Sequence, residues 1–237
     1  MTDKIERAGG WPFSRIGGLA GLGFAVIIVG ANLILEPAGM PLVGADIDKV
    51  NTFFTTKAVP AQLSSACTPA AWLCVIVFGA AAVATIWPRE RAAGSAWSLV
   101  GFAGLLLQTG TFVCVVAIRL ALSATTDHSP AATAGLWAVH NALFTINGLF
   151  LATAILGLSL GGLRTGLIHR WHAILGLTAA TGQFVSATLT PLIIDHPNPL
   201  ALLSLITWLM WVVWLAAYGI TLFRLQPARL DHQLAAA

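Results

Sequence analysis

Charged side chains are scarce in this sequence. Asp, Glu, Lys and Arg make up 9% of the residues, whereas 57% are hydrophobic. A soluble domain carries about 25% charged residues, so this chain cannot cover its surface against water. We therefore expect lipid to surround most of it. No segment outside the apolar runs is long enough to fold as a soluble catalytic domain, and this excludes a soluble enzyme.

Cysteines and catalytic motifs are also few. Cys67, Cys74 and Cys114 all fall within predicted membrane spans, where they form neither a disulfide framework nor a metal pattern. We expect them to be small packing residues, with a bridge between Cys67 and Cys114 as the minor alternative. The sequence has no P-loop, no G-x-S-x-G and no metal-binding His pair within a span. Neither a metal ion, nor haem, nor another cofactor is expected.

Long apolar runs are what the sequence does contain. A transmembrane helix needs about 20 apolar residues. Six runs reach that length, at 16–36, 64–87, 97–120, 134–160, 171–194 and 200–223. The sequence therefore predicts an all-α, polytopic transmembrane bundle of six spans, in which residues 1–237 form a single membrane domain.

The longest predicted loop, 37–63, contains a candidate amphipathic helix over 47–57. Asp46 is a suitable N-cap for it, and Val50, Phe53 and Phe54 fall on one face. A helix of this kind is expected to lie flat at the membrane interface. A plain ordered loop is the equal alternative.

Basic residues are distributed unevenly between the two sides of the membrane. With six spans, Lys49, Lys57 and Arg119 lie on one side, and the other nine of the 12 Lys and Arg residues lie with the two termini. The positive-inside rule then predicts that both termini are cytoplasmic, and we expect the chain in the inner (plasma) membrane of the cell. Basic residues stand singly at span ends and form no patch, so nucleic acid is not an expected partner.

A small set of polar and aromatic residues inside the spans supplies the candidate site. Polar side chains in a membrane need partners or a ligand. The candidate ligand-binding residues are Glu36, Gln108, Arg119, His140, Asn141, Asn147, Gln183 and Trp211. Counted along the spans, Glu36, Arg119 and His140 fall near the outer boundary. Near the midplane lie Gln108, Asn147 and Gln183. We call these last six residues the polar seam and expect them to face one another, whereas Trp211 would belong to an aromatic wall.

Three functions fit this pattern. The first is a protein that binds or transports a small molecule or lipid through an outward-facing polar seam. The second is a structural or accessory membrane subunit without a ligand. The third, ranked last, is a membrane-embedded enzyme acting on a lipid or isoprenoid, with Glu36 or Asp195 as the acid. No catalytic residue is assigned. Expected partners are membrane lipids and a small apolar or amphipathic ligand. A second copy of the chain, in a homo-oligomer, is a further candidate partner.

Three patches of the sequence resemble the DUF4386-type bacterial membrane proteins. The stretch RTGLIHRWHAILGL at 164–177 is similar to that family's R-x-G-L-L-P-R-W-L-G-I-L-G link, with His169 in place of Pro. The stretch RIGGLAGL at 15–22 and the outer loop around 46–54 also fit the family pattern. The resemblance implies a six-span or similar helical bundle and no established activity.

Overall fold

The computed structural model describes residues 11–124, 130–194, 199 and 201–225, and their regular secondary structure is entirely helical. The helices are α1 (Phe13–Ala38), α2 (Ile47–Thr56), α3 (Ala58–Ala92), α4 (Trp97–Ala124), α5 (Pro130–Arg164), α6 (Arg170–Thr188), α7 (Thr190–Ile193) and α8 (Ala201–Phe223). The predicted all-α class is confirmed. Five helices, α1, α3, α4, α5 and α8, are long and apolar enough to cross a membrane.

The six longer helices form a closed ring in chain order. Each packs on the next, and α8 packs back on α1. Neighbours run antiparallel; Gly17 of α1 lies against Ala81 of α3, for example, and Gly23 lies near Cys74. The start of α1 and the end of α8 therefore lie together, with the rings of Trp11 and Phe223 6.2 Å apart. We call this end of the ring the terminal end and the opposite one the α2 end.

Glycines let neighbouring helices approach until their backbones touch. A Cβ atom placed on Gly104 of α4 would lie 2.5 Å from the backbone nitrogen of Ala154 on α5. On α1, a Cβ placed on Gly18 would lie 2.5 Å from the carbonyl oxygen of Gly219 on α8. In lipid, where apolar burial contributes little, such close packing supplies much of the attraction between helices. The centre of the ring holds larger side chains, among them Phe78, Ile155, Leu158, Trp214 and Tyr218.

Helix α3 differs from the predicted second span, 64–87, at both ends. It covers Ala58–Ala92, so the predicted link from Pro88 onward lies inside the helix, and Pro69 lies about three turns after its start. Pro69 has no N–H to donate to the carbonyl of Ser65 one turn earlier. The Thr68 hydroxyl donates to that carbonyl instead, at 2.6 Å. A side-chain hydroxyl thus satisfies the group that the proline leaves free, and the helix continues.

The predicted fifth span, 171–194, is divided in the structure. Helix α6 ends at Thr188, and the one-turn α7 begins at Thr190 with Pro191 in its first turn. A proline in the first turn of a helix is tolerated but disfavours continuation of the preceding helix, so Pro191 accounts for this break. Helix α6 is not among the five helices that qualify as spans by length and composition.

Helix α2 forms where the sequence predicts it, but protein covers its apolar face. Val50, Phe53 and Phe54 are buried in a cluster with Leu35 and Trp137. The expectation that this face lies in the membrane interface is therefore replaced by a helix that covers one end of the ring. Asp46 precedes the first turn as predicted, but its side chain makes no capping hydrogen bond.

The cysteines are unpaired, as expected for packing residues. Cys67, Cys74 and Cys114 are all free thiols. The alternative of a disulfide between Cys67 and Cys114 is therefore wrong.

Candidate functional site

Two residues of the polar seam meet between α4 and α5 near the α2 end. Arg119 Nε donates a hydrogen bond to His140 Nε2 at 3.0 Å. The other ring nitrogen, His140 Nδ1, lies 3.2 Å from Asn141 Oδ1. A ring nitrogen that accepts from Arg119 carries no proton, so Nδ1 carries it and donates to Asn141. The three predicted residues form one chain of hydrogen bonds in which the imidazole is neutral.

Aromatic rings enclose this chain of hydrogen bonds. The His140 ring stacks on Trp137 at 4.5 Å and on Phe144 at 5.9 Å, with interplanar angles of 8° and 9°. The Arg119 guanidinium carbon lies 5.9 Å from the ring centroid of Phe112 and 5.8 Å from that of Phe144. Both distances are within cation–π range. We call the group of Phe112, Arg119, Trp137, His140, Asn141 and Phe144 the Arg119–His140 site.

The Arg119 side chain is directed toward the middle of the bundle. Phe112 precedes Arg119 by about two turns of α4, which places it about 10 Å deeper. The guanidinium nevertheless reaches the Phe112 ring. Long basic side chains near the end of a span usually extend outward to water. Here the cation instead faces apolar surroundings, where an unmatched charge is costly.

No carboxylate among the described residues forms an ion pair with Arg119. Asp46 pairs with Lys49 at 3.7 Å on the protein surface. Glu36, which the sequence places beside Arg119, is exposed on α1. Among the described residues, the Arg119 side chain donates one hydrogen bond, from Nε to His140. Its two terminal nitrogens therefore have no partner there. The site therefore carries a positive charge and free hydrogen-bond donors.

Two further polar atoms near this site, both on α5, are buried without a hydrogen-bond partner among the described residues. Trp137 Nε1 and Thr133 Oγ1 are buried and have no hydrogen-bond partner in the described part of the chain. Trp137 is 4% exposed and Thr133 0%, and they lie about one turn apart. An unsatisfied buried polar group costs about 1–3 kcal/mol. Trp137 stacks on His140, so an indole donor without an acceptor among the described residues belongs to the ring that covers one face of this imidazole.

The rest of the polar seam is divided among other parts of the ring. Gln183 Nε2 donates to the Ser204 carbonyl and to the Thr207 hydroxyl, both at 3.1 Å, and so joins α6 to α8. Asn147 is buried on α5, and its Oδ1 has no partner in the described residues. The expectation that all six seam residues face one another does not match this geometry, because Glu36 is exposed and Gln183 faces α8.

Gln108 and Trp211 belong to the centre of the ring. Together with Phe78 and Trp214 they line a cavity of about 10 Å³, at the lower limit for one water molecule. Neither His140 nor Gln183 lines this cavity. Trp211 packs edge-on against Phe24 at 5.6 Å and is 5% exposed, so it is a core residue in this geometry.

Glu36, one of the two carboxylates considered for an enzyme, does not line the cavity beside Trp211. Glu36 is exposed, and the lining of the cavity beside Trp211 contains no carboxylate. Asp195, the other candidate acid, lies outside the described residues.

A buried carboxylate at the terminal end escaped the sequence analysis. Glu90 is 1% exposed. Its carboxylate accepts hydrogen bonds from the Ser98 backbone N–H, at 2.9 Å, and from the Ser98 hydroxyl. Ser98 is in the first turn of α4, so Glu90 satisfies a free N–H at the positive end of that helix. The sequence signal was weak, because Glu90 stands between two arginines in what resembled a polar link.

No family model matches this chain, and comparisons with curated proteins and with solved structures also gave no match. The resemblance to the DUF4386-type proteins stays a prediction.

Proposed function

We propose that this chain is an integral membrane protein with six spans that binds a small molecule or lipid at the Arg119–His140 site. The apolar helical bundle fits a multi-pass membrane protein. The observation that carries the binding proposal is the Arg119 cation between two such helices, which has neither a carboxylate partner nor a partner for its terminal nitrogens in the described part of the chain. A bound molecule with acceptor groups would supply the missing partner.

The packing of α6 supports a sixth span. Its 19 residues rise about 28 Å, close to the thickness of the hydrocarbon core. It runs antiparallel to α8 along this length, since His172 contacts Trp214 near one end and Gly182 contacts Thr207 near the other. Three polar residues that lower its hydropathy, His172, Gln183 and Ser186, are buried against neighbouring helices.

The orientation follows from charge. Among the described residues, the α2 end of the ring carries Lys49, Lys57 and Arg119, and the terminal end carries the other six basic residues, Arg15, Arg89, Arg91, Arg164, Arg170 and Arg224. By the positive-inside rule, the terminal end is cytoplasmic and the α2 end is outside, in a bacterial inner membrane. The Arg119–His140 site is then in the outer half of the membrane, as the first of the three hypotheses requires.

The test compares Arg119→Gln with Arg164→Gln, which makes the same charge change at the other end of the ring. Arg164 lies on α5 with its guanidinium 5.4 Å from the Trp97 ring. We expect molecules that co-purify with the wild-type protein to be retained by Arg164→Gln and to fall about tenfold in Arg119→Gln, as measured by mass spectrometry. Equal retention in both variants, with equal thermal stability in detergent, would contradict the proposal.

A structural or accessory subunit is the second candidate. The bonds from Gln183 to Ser204 and Thr207 favour it, because they join α6 directly to α8 and use the amide donor of Gln183 within the protein. This candidate predicts no retained molecule in any variant and a loss of thermal stability in Gln183→Ala. The membrane-embedded enzyme acting on a lipid or isoprenoid has no such support in the described residues.

A further inference from the structure

We propose that the ligand of the Arg119–His140 site is an anionic amphiphile, with a phosphate or carboxylate head on an apolar chain. This inference rests on the proposed function and names the ligand class for the same site. It follows from which hydrogen-bonding groups are already used, from the position of the guanidinium, and from the exposure of the surrounding rings.

The first step is the balance of donors and acceptors. The acceptor of His140, Nε2, is occupied by Arg119, and Asn141 Oδ1 faces His140 Nδ1. The terminal nitrogens of Arg119 and the indole nitrogen of Trp137 are donors without a partner in the described residues. A ligand that brings acceptors and negative charge therefore complements the site, whereas a cationic ligand would meet Arg119 with like charge.

The second step is the shape of the free donors. Nε of Arg119 is held by His140, and the two rings near Cζ limit where the guanidinium plane can turn. The two terminal nitrogens remain as a planar pair, which matches two oxygens of one phosphate or carboxylate. A neutral hydroxyl can meet only one of them. The site is thus organised for an oxyanion before any ligand arrives.

The third step is the apolar part of the ligand. Phe144, which contacts both Arg119 and His140, is 38% exposed, and Val113 and Leu120, the chain neighbours of Phe112 and Arg119, are 39% and 42% exposed. In a membrane-spanning bundle such apolar side chains face hydrocarbon. An apolar chain can therefore lie along Phe144 on the lipid side while its head reaches Arg119. A soluble anion would have to leave water to reach the same position.

Three probes separate the head from the chain. Dodecyl phosphate has both, dodecanol has the chain alone and inorganic phosphate has the head alone. Binding of each is measured by native mass spectrometry and by thermal shift on the full-length protein in a neutral detergent. The variants are Arg119→Gln, Arg119→Lys, which keeps the charge without the planar pair of nitrogens, and the control Arg164→Gln.

We expect dodecyl phosphate to bind the wild-type protein and Arg164→Gln at least about tenfold more tightly than dodecanol. Arg119→Gln should lose this preference, and Arg119→Lys should keep part of it. Inorganic phosphate should bind at least about tenfold more weakly than dodecyl phosphate. If inorganic phosphate binds as tightly as dodecyl phosphate, the ligand is a soluble anion, and the proposal of an amphiphile is wrong.

The failure of this inference differs from that of the proposed function. If dodecanol binds as well as dodecyl phosphate, while Arg119→Gln still loses the co-purifying molecule, a ligand binds at the site but is not an anion. If Arg119→Gln and Arg164→Gln retain the same molecules and bind all three probes alike, both proposals fail. Arg119→Lys keeps the cation, so it tests the site even if Arg119→Gln does not fold.

Discussion

Glu90 and Arg119 are two charged residues inside the bundle, and their surroundings differ. The Glu90 carboxylate receives its hydrogen bonds from Ser98, within the protein. Arg119 has His140 on one nitrogen and nothing among the described residues on the other two. A charge with its partners present is typical of a structural role, whereas a charge with open donors is typical of a binding site. This difference is the basis for proposing a structural role for Glu90 and a ligand-binding role for Arg119.

This assignment predicts a loss of stability in Glu90→Ala. The substitution leaves the Ser98 N–H and hydroxyl buried without an acceptor, so the free energy of unfolding should fall by about 1–3 kcal/mol. Glu36→Ala is the matched control, because it removes an exposed carboxylate and should change little. The measurement is thermal unfolding of both variants in one detergent. Equal midpoints for wild type and Glu90→Ala would show that the Glu90–Ser98 bonds contribute nothing.

At the scale of elements, close contact between helix backbones holds the ring together. Gly104 lies against the backbone of α5, whereas Gly110 on the same helix has no neighbour within 4 Å of an added Cβ. Gly104→Ala should therefore force α4 and α5 apart and lower stability by about 1–3 kcal/mol. Gly110→Ala makes the same change in open space and should be neutral or slightly stabilising. Thermal unfolding of the two variants measures the difference, and equal effects would contradict the proposed contact.

The sequence predicted most of these elements because long apolar runs are a strong signal in a membrane protein. The ends of α3 were missed because residues 58–63 were assigned to the outer loop and Pro88 was interpreted as the start of a link. Only the neighbouring Thr68 hydroxyl explains why the helix passes through Pro69. The apolar face of α2 was predicted, but the sequence did not indicate whether lipid or protein covers it.

At the scale of the whole molecule, the sequence indicates how deep in the membrane a side chain lies. It does not indicate which neighbouring helix that side chain faces. Depth was enough to predict that Arg119 and His140 lie at one level, and they do meet. Depth also placed Gln108 and Gln183 at one level, but the first faces the centre of the ring and the second faces Thr207. The order of helices around the ring decides which residues meet, and it depends on contacts between segments far apart in sequence.

The six-span topology predicts which residues reagents can reach from each side. In a chain with Cys67, Cys74 and Cys114 replaced by Ala, a membrane-impermeant maleimide should label Leu42→Cys in intact cells. The substitutions Ala93→Cys, His169→Cys and Arg224→Cys should react only after the membrane is opened. Labelling of Arg224→Cys from outside would mean that α6 does not cross, and the topology would be wrong.

The contact between α1 and α8 has a consequence for biosynthesis. Gly18 packs on Gly219 and Phe223, so the first long helix has its partner in the last one. The ribosome makes α1 well before α8. Until α8 is inserted, the surface of α1 around Gly18 has no helix to cover it. Insertion of α8 then completes both neighbouring interfaces at once. Assembly of the native ring therefore cannot be completed before α8 has been made, whatever the order in which the earlier hairpins form.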